Sequence, residues 1–286
     1  MTGPYVLTFS CDDAVGIVAA VTGLLAERDG FILDSQQYAD LGSGRFFMRV
    51  AFRGAGPRFP EGLAGVQAAF APIVDRFAMD ARISDSAAKP RFVIAVSQGS
   101  HCLNDLLHRW STGNLAIDIV AVVSNHEHQR RLSEWHGVPF HHFPVNEANR
   151  AEQEERILDL MARSDADYLV LARYMQVLSP EMSGKLAGRC INIHHSFLPG
   201  FKGAKPYHRA QERGVKLIGA TAHFVTSDLD EGPIIEQAVE RVDHRDSVDD
   251  LIRIGRDVEA QVLAKAVRWV AEQRVLIDGR KTVVFR

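Results

Sequence analysis

The apolar pattern of this chain changes character near residue 90, and that change implies two folding units. Residues 92–96 (FVIAV) are an uninterrupted apolar run, as expected of a strand buried on both faces of a parallel sheet. Further short strands are expected at 117–123, 168–171, 190–194 and 220–225, with helical stretches near 101–110 and 127–136. Strands alternating with helices of about a dozen residues specify a Rossmann-like, mostly parallel α/β sheet. Ser247 and Asp250 read as a capping box opening a helix that runs to about Glu272. Leu251, Ile254, Val258, Val262 and Trp269 would form its core-facing stripe. Residues 275–285 read as a hairpin around Asp278-Gly279.

On the other side of residue 90 the periods are those of a half-buried antiparallel sheet. Residues 5–10 (YVLTFS) read as a strand, and 15–28 as a helix with Ile17, Val21, Leu24 and Leu25 on one side. Two β-rich runs, 31–41 and 45–53, flank Gly42-Ser43-Gly44, a hairpin signal. A helix over 60–77 and a strand over 78–84 complete a βαββαβ order, the ferredoxin-like arrangement. Its two helices would cover one face of the sheet and leave the other free to pair. The small, polar, proline-containing stretch SDSAAKPR reads as the linker. The expected organisation is therefore a module over 1–84, a linker over 85–91, and an α/β domain over 92–286.

Bulk properties exclude several classes of function. The 286 residues carry a formal net charge of -3 with no block of like charges, the wrong footing for nucleic-acid or membrane-surface binding. Cys11, Cys102 and Cys190 are three and widely spaced, so neither a disulfide framework nor a zinc knuckle is expected. The opening MTGPYVLTFSCDD lacks the basic and apolar regions of a signal peptide. No apolar run approaches the ~18 residues of a membrane span. A cytoplasmic protein is expected.

The chemistry concentrates in Asn192-Ile193-His194 and the turn that follows. Alternate residues of a strand share a face, so Asn192 and His194 project together. Ligands of open α/β sheets sit at the carboxyl ends of strands. An amide there can donate to an oxyanion, and an imidazole can act as acid or base. Structural hydrogen bonding is the common alternative for such a pair. After the strand at 220–225 comes the loop Thr226-Ser227-Asp228-Leu229-Asp230-Glu231-Gly232-Pro233. A loop carboxylate near the imidazole would hold its proton. An Asx turn before Gly232-Pro233 is the simpler reading of Asp228 or Asp230, and spacing alone leaves the choice open.

The motifs Asn192-x-His194, SFLPGFKGAKPYHRAQERG and IGATAHFVTSDLDEGPII together resemble the formyltetrahydrofolate-using transferase and hydrolase superfamily over residues 90–286. Matched residue by residue, the resemblance implies a triad of Asn192, His194 and Asp230. The block Leu171-Ala172-Arg173-Tyr174-Met175-Gln176-Val177-Leu178-Ser179 resembles the loop that embraces the pterin. It implies folate contacts from Arg173, Tyr174, Met175, Gln176, Val177 and Leu178, and from Thr226, Asp228 and Leu229 across the site. The implied chemistry is attack on the formyl carbon of 10-formyltetrahydrofolate with no permanently bound cofactor. A metal is not expected: His141-His142 and His194-His195 are adjacent pairs, which on a strand point to opposite faces, and no Cys/His spacing fits zinc.

The N-terminal module resembles an ACT domain through Cys11-Asp12-Asp13-Ala14-Val15-Gly16-Ile17-Val18-Ala19, Ser35-Gln36-Gln37-Tyr38 and Phe46-Phe47-Met48-Arg49. Many ACT domains carry proline where Asp12 or its neighbour stands here. That layout is the one of the deformylase branch, which transfers the formyl group to water, giving formate and tetrahydrofolate. The loop Ser97-Gln98-Gly99-Ser100-His101-Cys102-Leu103 has one glycine where ribonucleotide transformylases have a glycine-rich phosphate cradle. The resemblance further implies a homo-oligomer, a small amino-acid effector such as glycine or methionine at Asp12, Asp13, Gly16 and Ile17, and a role for the released formate in purine synthesis and one-carbon balance. For Arg173 and Lys202 a loop-anchoring role competes with contact to the folate glutamate tail. For His223 a satisfied core position competes with support of the Asp230 loop. Trp110, Trp135 and Trp269 read as packing residues.

Overall fold

The computed structural model describes residues 4–200 and 206–286 of the chain. Lys202, and the part of the SFLPGFKGAKPYHRAQERG motif around it, lie outside the described residues. No helix among the described residues is long and apolar enough to cross a membrane. Contacts divide the chain into two compact units: Met1–Lys89 with Glu272–Asp278 and Val283–Arg286, and Pro90–Ala271 with Gly279–Thr282.

The first unit contains β1 (Tyr5–Asp12), α1 (Ile17–Glu27), β2 (Gly30–Asp40), β3 (Arg45–Gly54), α2 (Gly62–Arg76) and β4 (Asp80–Asp85). The strands form an antiparallel sheet ordered β2-β3-β1-β4, the ferredoxin-like order. Period-two alternation builds its core: Tyr5, Leu7, Phe9 and Cys11 of β1 and Phe46, Met48, Val50 and Phe52 of β3 join Ile17, Val21, Leu25, Val66 and Phe70 from the helices. Gly44, at φ 69 in the β2–β3 turn, supplies the left-handed conformation the hairpin needs.

The other face of this sheet is not left free, as the sequence reading expected. Arg49 is 5% exposed there, donating to Asp34 at 2.8 Å and to the Glu272 carbonyl at 3.1 Å. Gln36 donates to the Arg286 carbonyl, and Gln273 bonds to Ser84. The C-terminal segment thus covers polar groups that a bare face would have left to solvent. Residues 272–278 and 283–286, read from sequence as the end of the second domain, pack with the first unit.

The second unit contains β5 (Arg91–Val96), α3 (His101–Ser111), β6 (Asp118–Ser124), α4 (Arg130–Trp135), β7 (Phe140–His142), α5 (Arg150–Arg163), β8 (Tyr168–Leu171), α6 (Pro180–Lys185), β9 (Cys190–His194), α7 (Pro206–Glu212), β10 (Leu217–Phe224), β11 (Ile234–Arg241) and α8 (Val248–Ala271). The sheet order is β11-β10-β9-β8-β5-β6-β7. Pairings from β7 through β9 are parallel, while β10 and β11 run antiparallel. The central strands are buried on both faces: Phe92 to Val96, Leu169 and Val170 are at most 1% exposed. The capping box forms as expected, with the Asp250 amide on the Ser247 hydroxyl and the Ser247 amide on the Asp250 carboxylate. β12 (Val275–Asp278) and β13 (Lys281–Val284) form the terminal hairpin.

Five elements went unread in the sequence, among them the short helices α6 and α7. β7 is three residues long, too short for a periodic signal. α5 was missed although Ile157, Leu160 and Met161 sit at helical spacing, because acidic and basic residues make up half of its length. β11 follows directly on the Asp230 loop, and its second half is half-buried or exposed. Trp135 corrects an expectation: it is 80% exposed, edge-on to His136 rather than packed in the core.

Candidate active site

The site grows from the register of β9 between a parallel and an antiparallel neighbour. Asn192 lies opposite Leu171 of β8 and opposite His223 of β10, and His194 opposite Thr221. Directly opposed residues bring their side chains within contact distance. Asn192 Nδ2 therefore lies 3.2 Å from His223 Nε2. His223 Nδ1 lies 2.8 Å from the Phe224 carbonyl, which can only accept. In the neutral ring that places the proton on Nδ1, so Nε2 accepts from the Asn192 amide.

Asp230 enters from the loop after β10. Its carboxylate lies 3.2 Å from His194 Nδ1 and 3.7 Å from His223 Nε2. Gly232 makes the approach possible: a Cβ there would stand 1.7 Å from the Phe224 carbonyl oxygen. Asp230 itself has φ 57, a left-handed conformation that aspartate tolerates better than most side chains. Burial pushes its carboxyl up, but the facing imidazoles, with the hydrogen bond from His194 Nδ1 foremost, outweigh that. The net result lies well below the ordinary carboxylate range. Asp228 is exposed, and its carbonyl takes the Thr226 hydroxyl.

His194 is 5% exposed, and its Nε2 is buried without a hydrogen-bond partner among the described residues. With Nδ1 turned to a carboxylate, Nε2 is the basic nitrogen of the neutral ring. Asn192, His194, His223 and Asp230 line one cavity of about 310 Å³. Most of its remaining wall comes from the segments 173–178 and 225–229. Exposed Met175, Val177 and Leu229 form an apolar rim. The 173–178 segment is tied to the end of β5, where the Met175 amide donates to Ser97 Oγ and the Ser97 amide to the Arg173 carbonyl.

Two side chains of that segment are committed elsewhere. Tyr174 is 5% exposed within the core cluster, and Gln153 of α5 donates to its hydroxyl. Arg173 sits at φ 62, a conformation costing an L-residue about 1–2 kcal/mol. Its Nε lies 3.2 Å from the Glu259 carboxylate, and its Nη1 meets His195 Nδ1. His195 corrects the argument from opposite faces: it lies just past the end of β9, where strand alternation no longer applies. Its ring stacks on His194 at 4.9 Å between centroids and 21° between planes.

A second cavity of about 590 Å³ adjoins the first, sharing Arg173, Met175, Gln176 and His195. His101, Cys102 and Glu259 bring donor atoms within 4.8 Å of one another beside it. Both Glu259 oxygens are already engaged: Tyr207 and His101 donate to them at 2.7 and 2.8 Å, and a cation, Arg173, stands beside them. The donor set reads as a charge cluster rather than a metal site. In the sequence His223 stood between a satisfied core position and support of the Asp230 loop, and the His101–Glu259–Arg173–His195 cluster had no signal. The antiparallel register that sets His223 against Asn192 has no signature in a single strand. Glu259 looked like one more residue on a long helix.

Asp12, Asp13, Gly16 and Ile17 belong to the first unit. Asp12 and Asp13 are exposed, Gly16 has φ 97, and the Ile17 side chain is 1% exposed in the core.

Residues 90–267 match the formyl transferase family model. Over 99% of its length the chain is 48% identical to a formyltetrahydrofolate deformylase of Corynebacterium sp. (strain P-1), covering 98% of that protein. The solved structure of a formyltetrahydrofolate deformylase from Pseudomonas syringae pv. tomato str. DC3000 superposes with a TM-score of 0.96 at 49% identity, covering 100% of this chain and 95% of that one. Glycinamide ribonucleotide transformylase 1 from Symbiobacterium toebii matches 69% of this chain and 95% of its own, with a TM-score of 0.65 at 30% identity.

Proposed function

The chain belongs to the formyltetrahydrofolate deformylase family, within the formyl transferases, and from that premise we propose that Asn192, His194 and Asp230 catalyse its reaction. The protein is a hydrolase that releases formate and tetrahydrofolate from 10-formyltetrahydrofolate. The observation that carries the residue assignment is His194: Nδ1 faces the Asp230 carboxylate at 3.2 Å, and the opposite nitrogen is buried and unpartnered beside Asn192.

In this reading the pterin lies in the cavity between the 173–178 segment and the 226–230 loop. Backbone groups of Met175 to Leu178 and of Thr226 to Asp230 hydrogen-bond the ring, and Met175, Val177 and Leu229 cover its faces. Tyr174 and Arg173 contribute backbone only, because their side chains are already engaged. Water attacks the formyl carbon and passes a proton to His194 Nε2. The Asn192 amide donates to the oxyanion of the tetrahedral adduct. Asp230 stabilises the imidazolium, which returns the proton to N10 as the C–N bond breaks. Formate and tetrahydrofolate leave. No bound cofactor enters this scheme.

The ferredoxin-like first unit supports reading it as an ACT regulatory module. Its α1 begins after Gly16 with no side-chain cap, a favourable position for the carboxylate of a small amino acid. Phe31, Leu33 and Tyr38 are exposed on the edge strand β2, which supports self-association. Formate supply to purine synthesis and balance of the one-carbon pool is the role proposed for the reaction.

The decisive assay measures formate from 10-formyltetrahydrofolate with no amine present. Steady release is expected, unchanged by millimolar glycinamide ribonucleotide. Stoichiometric formylated nucleotide would instead indicate a transferase.

A further inference from the structure

Glu259 lies on the inner face of α8 and is 1% exposed. Three donors converge on it: Tyr207 Oη at 2.7 Å, His101 Nε2 at 2.8 Å and Arg173 Nε at 3.2 Å. The helix is shaped for this meeting. A Cβ at Gly255, one turn before Glu259, would stand 2.0 Å from the Tyr207 hydroxyl oxygen. Arg173 is held at φ 62 while its guanidinium spans from Glu259 to His195. An unfavourable backbone conformation whose side chain is fixed at its far end is a mark of a functional constraint.

A guanidinium nitrogen can only donate. His195 Nδ1 must therefore accept from Arg173, and the neutral His195 ring carries its proton on Nε2. That Nε2 is buried and has no partner among the described residues. Stacked on it is His194, whose Nδ1 faces the Asp230 carboxylate, an acceptor, so that its neutral ring is basic at Nε2. The two rings thus hold opposite tautomers, each set by a charged neighbour.

We propose that Glu259 and Arg173 are a positioning pair that keeps His195 neutral in its Nε2–H form, so that the proton moved during hydrolysis is confined to the stacked His194. The proposal rests on His194 being the acid–base group. The groups facing His195 are Arg173, His194, Glu259 and Asp230, with the Tyr207 ring at 6.3 Å. Burial, the Arg173 cation and His194 lower the tendency of His195 to protonate, whereas Glu259 and Asp230 raise it. The balance leaves its pKa at about 4. Burial is the largest of these causes and Arg173 the next; without Arg173, two carboxylates would remain to favour a second imidazolium. A cation stacked on His194 would then oppose proton uptake there.

The test substitutes Arg173→Gln and follows two readouts: ring-proton NMR titration of His195, and the pH profile of kcat. His195 is expected to titrate at least ~1 pH unit higher than in the parent enzyme. The profile should gain a second acidic ionisation at the pH where His195 titrates, with kcat falling about a further tenfold for each pH unit below it. Adding His195→Gln should remove that extra ionisation. If Arg173→Gln does not fold because Glu259 is left underpaired, Arg173→Gln with Glu259→Gln removes both buried charges, leaves Asp230 facing His195, and should raise its titration in the same direction by less. An unshifted His195 titration, or a loss of kcat uniform across pH, or a change confined to KM, overturns the proposal. Failure of the underlying reading is seen separately, as normal turnover in His194→Asn.

Discussion

The two units solve opposite problems with their buried polar groups. Among the described residues the first unit buries Ser10 and Arg49, whereas the second buries His194, His223, Glu259, Glu154, Glu236, Gln153, Thr221 and several serines. Buried polar groups are costly unless partnered. The first unit minimises that cost with an apolar core, and its single buried charge is neutralised by Asp34 and a carbonyl. The second accepts the cost and assembles networks, and leaves two imidazole nitrogens, His194 Nε2 and His195 Nε2, unpartnered next to its cavities, where the first leaves Gln273 Oε1. Destabilising polarity has been concentrated where chemistry can use it. Substitutions in the two units should therefore fail in different ways.

The sharpest separation is expected at Asp230. Asp230→Asn keeps the shape but removes the charge beside His194, so kcat should fall about 10²–10⁴-fold. Binding of a non-hydrolysable folate analogue should change little, because the transition state is affected more than the ground state. Asp228→Asn, exposed and away from the imidazoles, should be milder. If Asp228→Asn proves the more damaging in a kcat comparison, the assignment of Asp230 is wrong.

His223→Ala should come next. It removes the acceptor of the Asn192 amide and one neighbour of Asp230. A loss of kcat of roughly 10–100-fold is expected, on the scale of a misplaced oxyanion donor. A purely packing role would instead lower Tm and leave kcat of the folded enzyme intact.

Phe52→Ala probes the contrasting unit. Phe52 is 0% exposed in the first core, and truncation should cost about 3–5 kcal/mol of that unit's stability. Denaturant unfolding should show the loss, while kcat below the transition stays near normal. A large fall in kcat with unchanged stability would dissolve the distinction between the units. The smallest effect is expected from effectors. Glycine or methionine should alter formate release, and Asp12→Ala should blunt that response. A protein that sediments as a monomer and responds to no amino acid would defeat the regulatory reading.

The α/β core was legible because its signals are local. Residues 92–96 need no partner to read as a buried strand, and Ser247 with Asp250 marks a helix start within one turn. Asn192 and His194 share a face because strands have a period of two, so the pair could be singled out from sequence. Choosing Asp230 over Asp228 needed the resemblance to a known family, since both aspartates suit a turn.

What only the tertiary structure decided lies across strands and between distant helices. His223 joins the site because β10 runs antiparallel to β9 in a particular register. A one-residue slip would turn it to the other face. Glu259 meets Arg173 across 86 residues of sequence because α8 packs against β9, β10 and β11 and against α3. His195 stacks on His194 because the chain leaves β9 there and alternation ends. The sequence determined which strands and helices form and which side chains share a strand face. Side-chain charge state and hydrogen-bond direction depend on every group within a few ångströms, and folding alone brings those groups together.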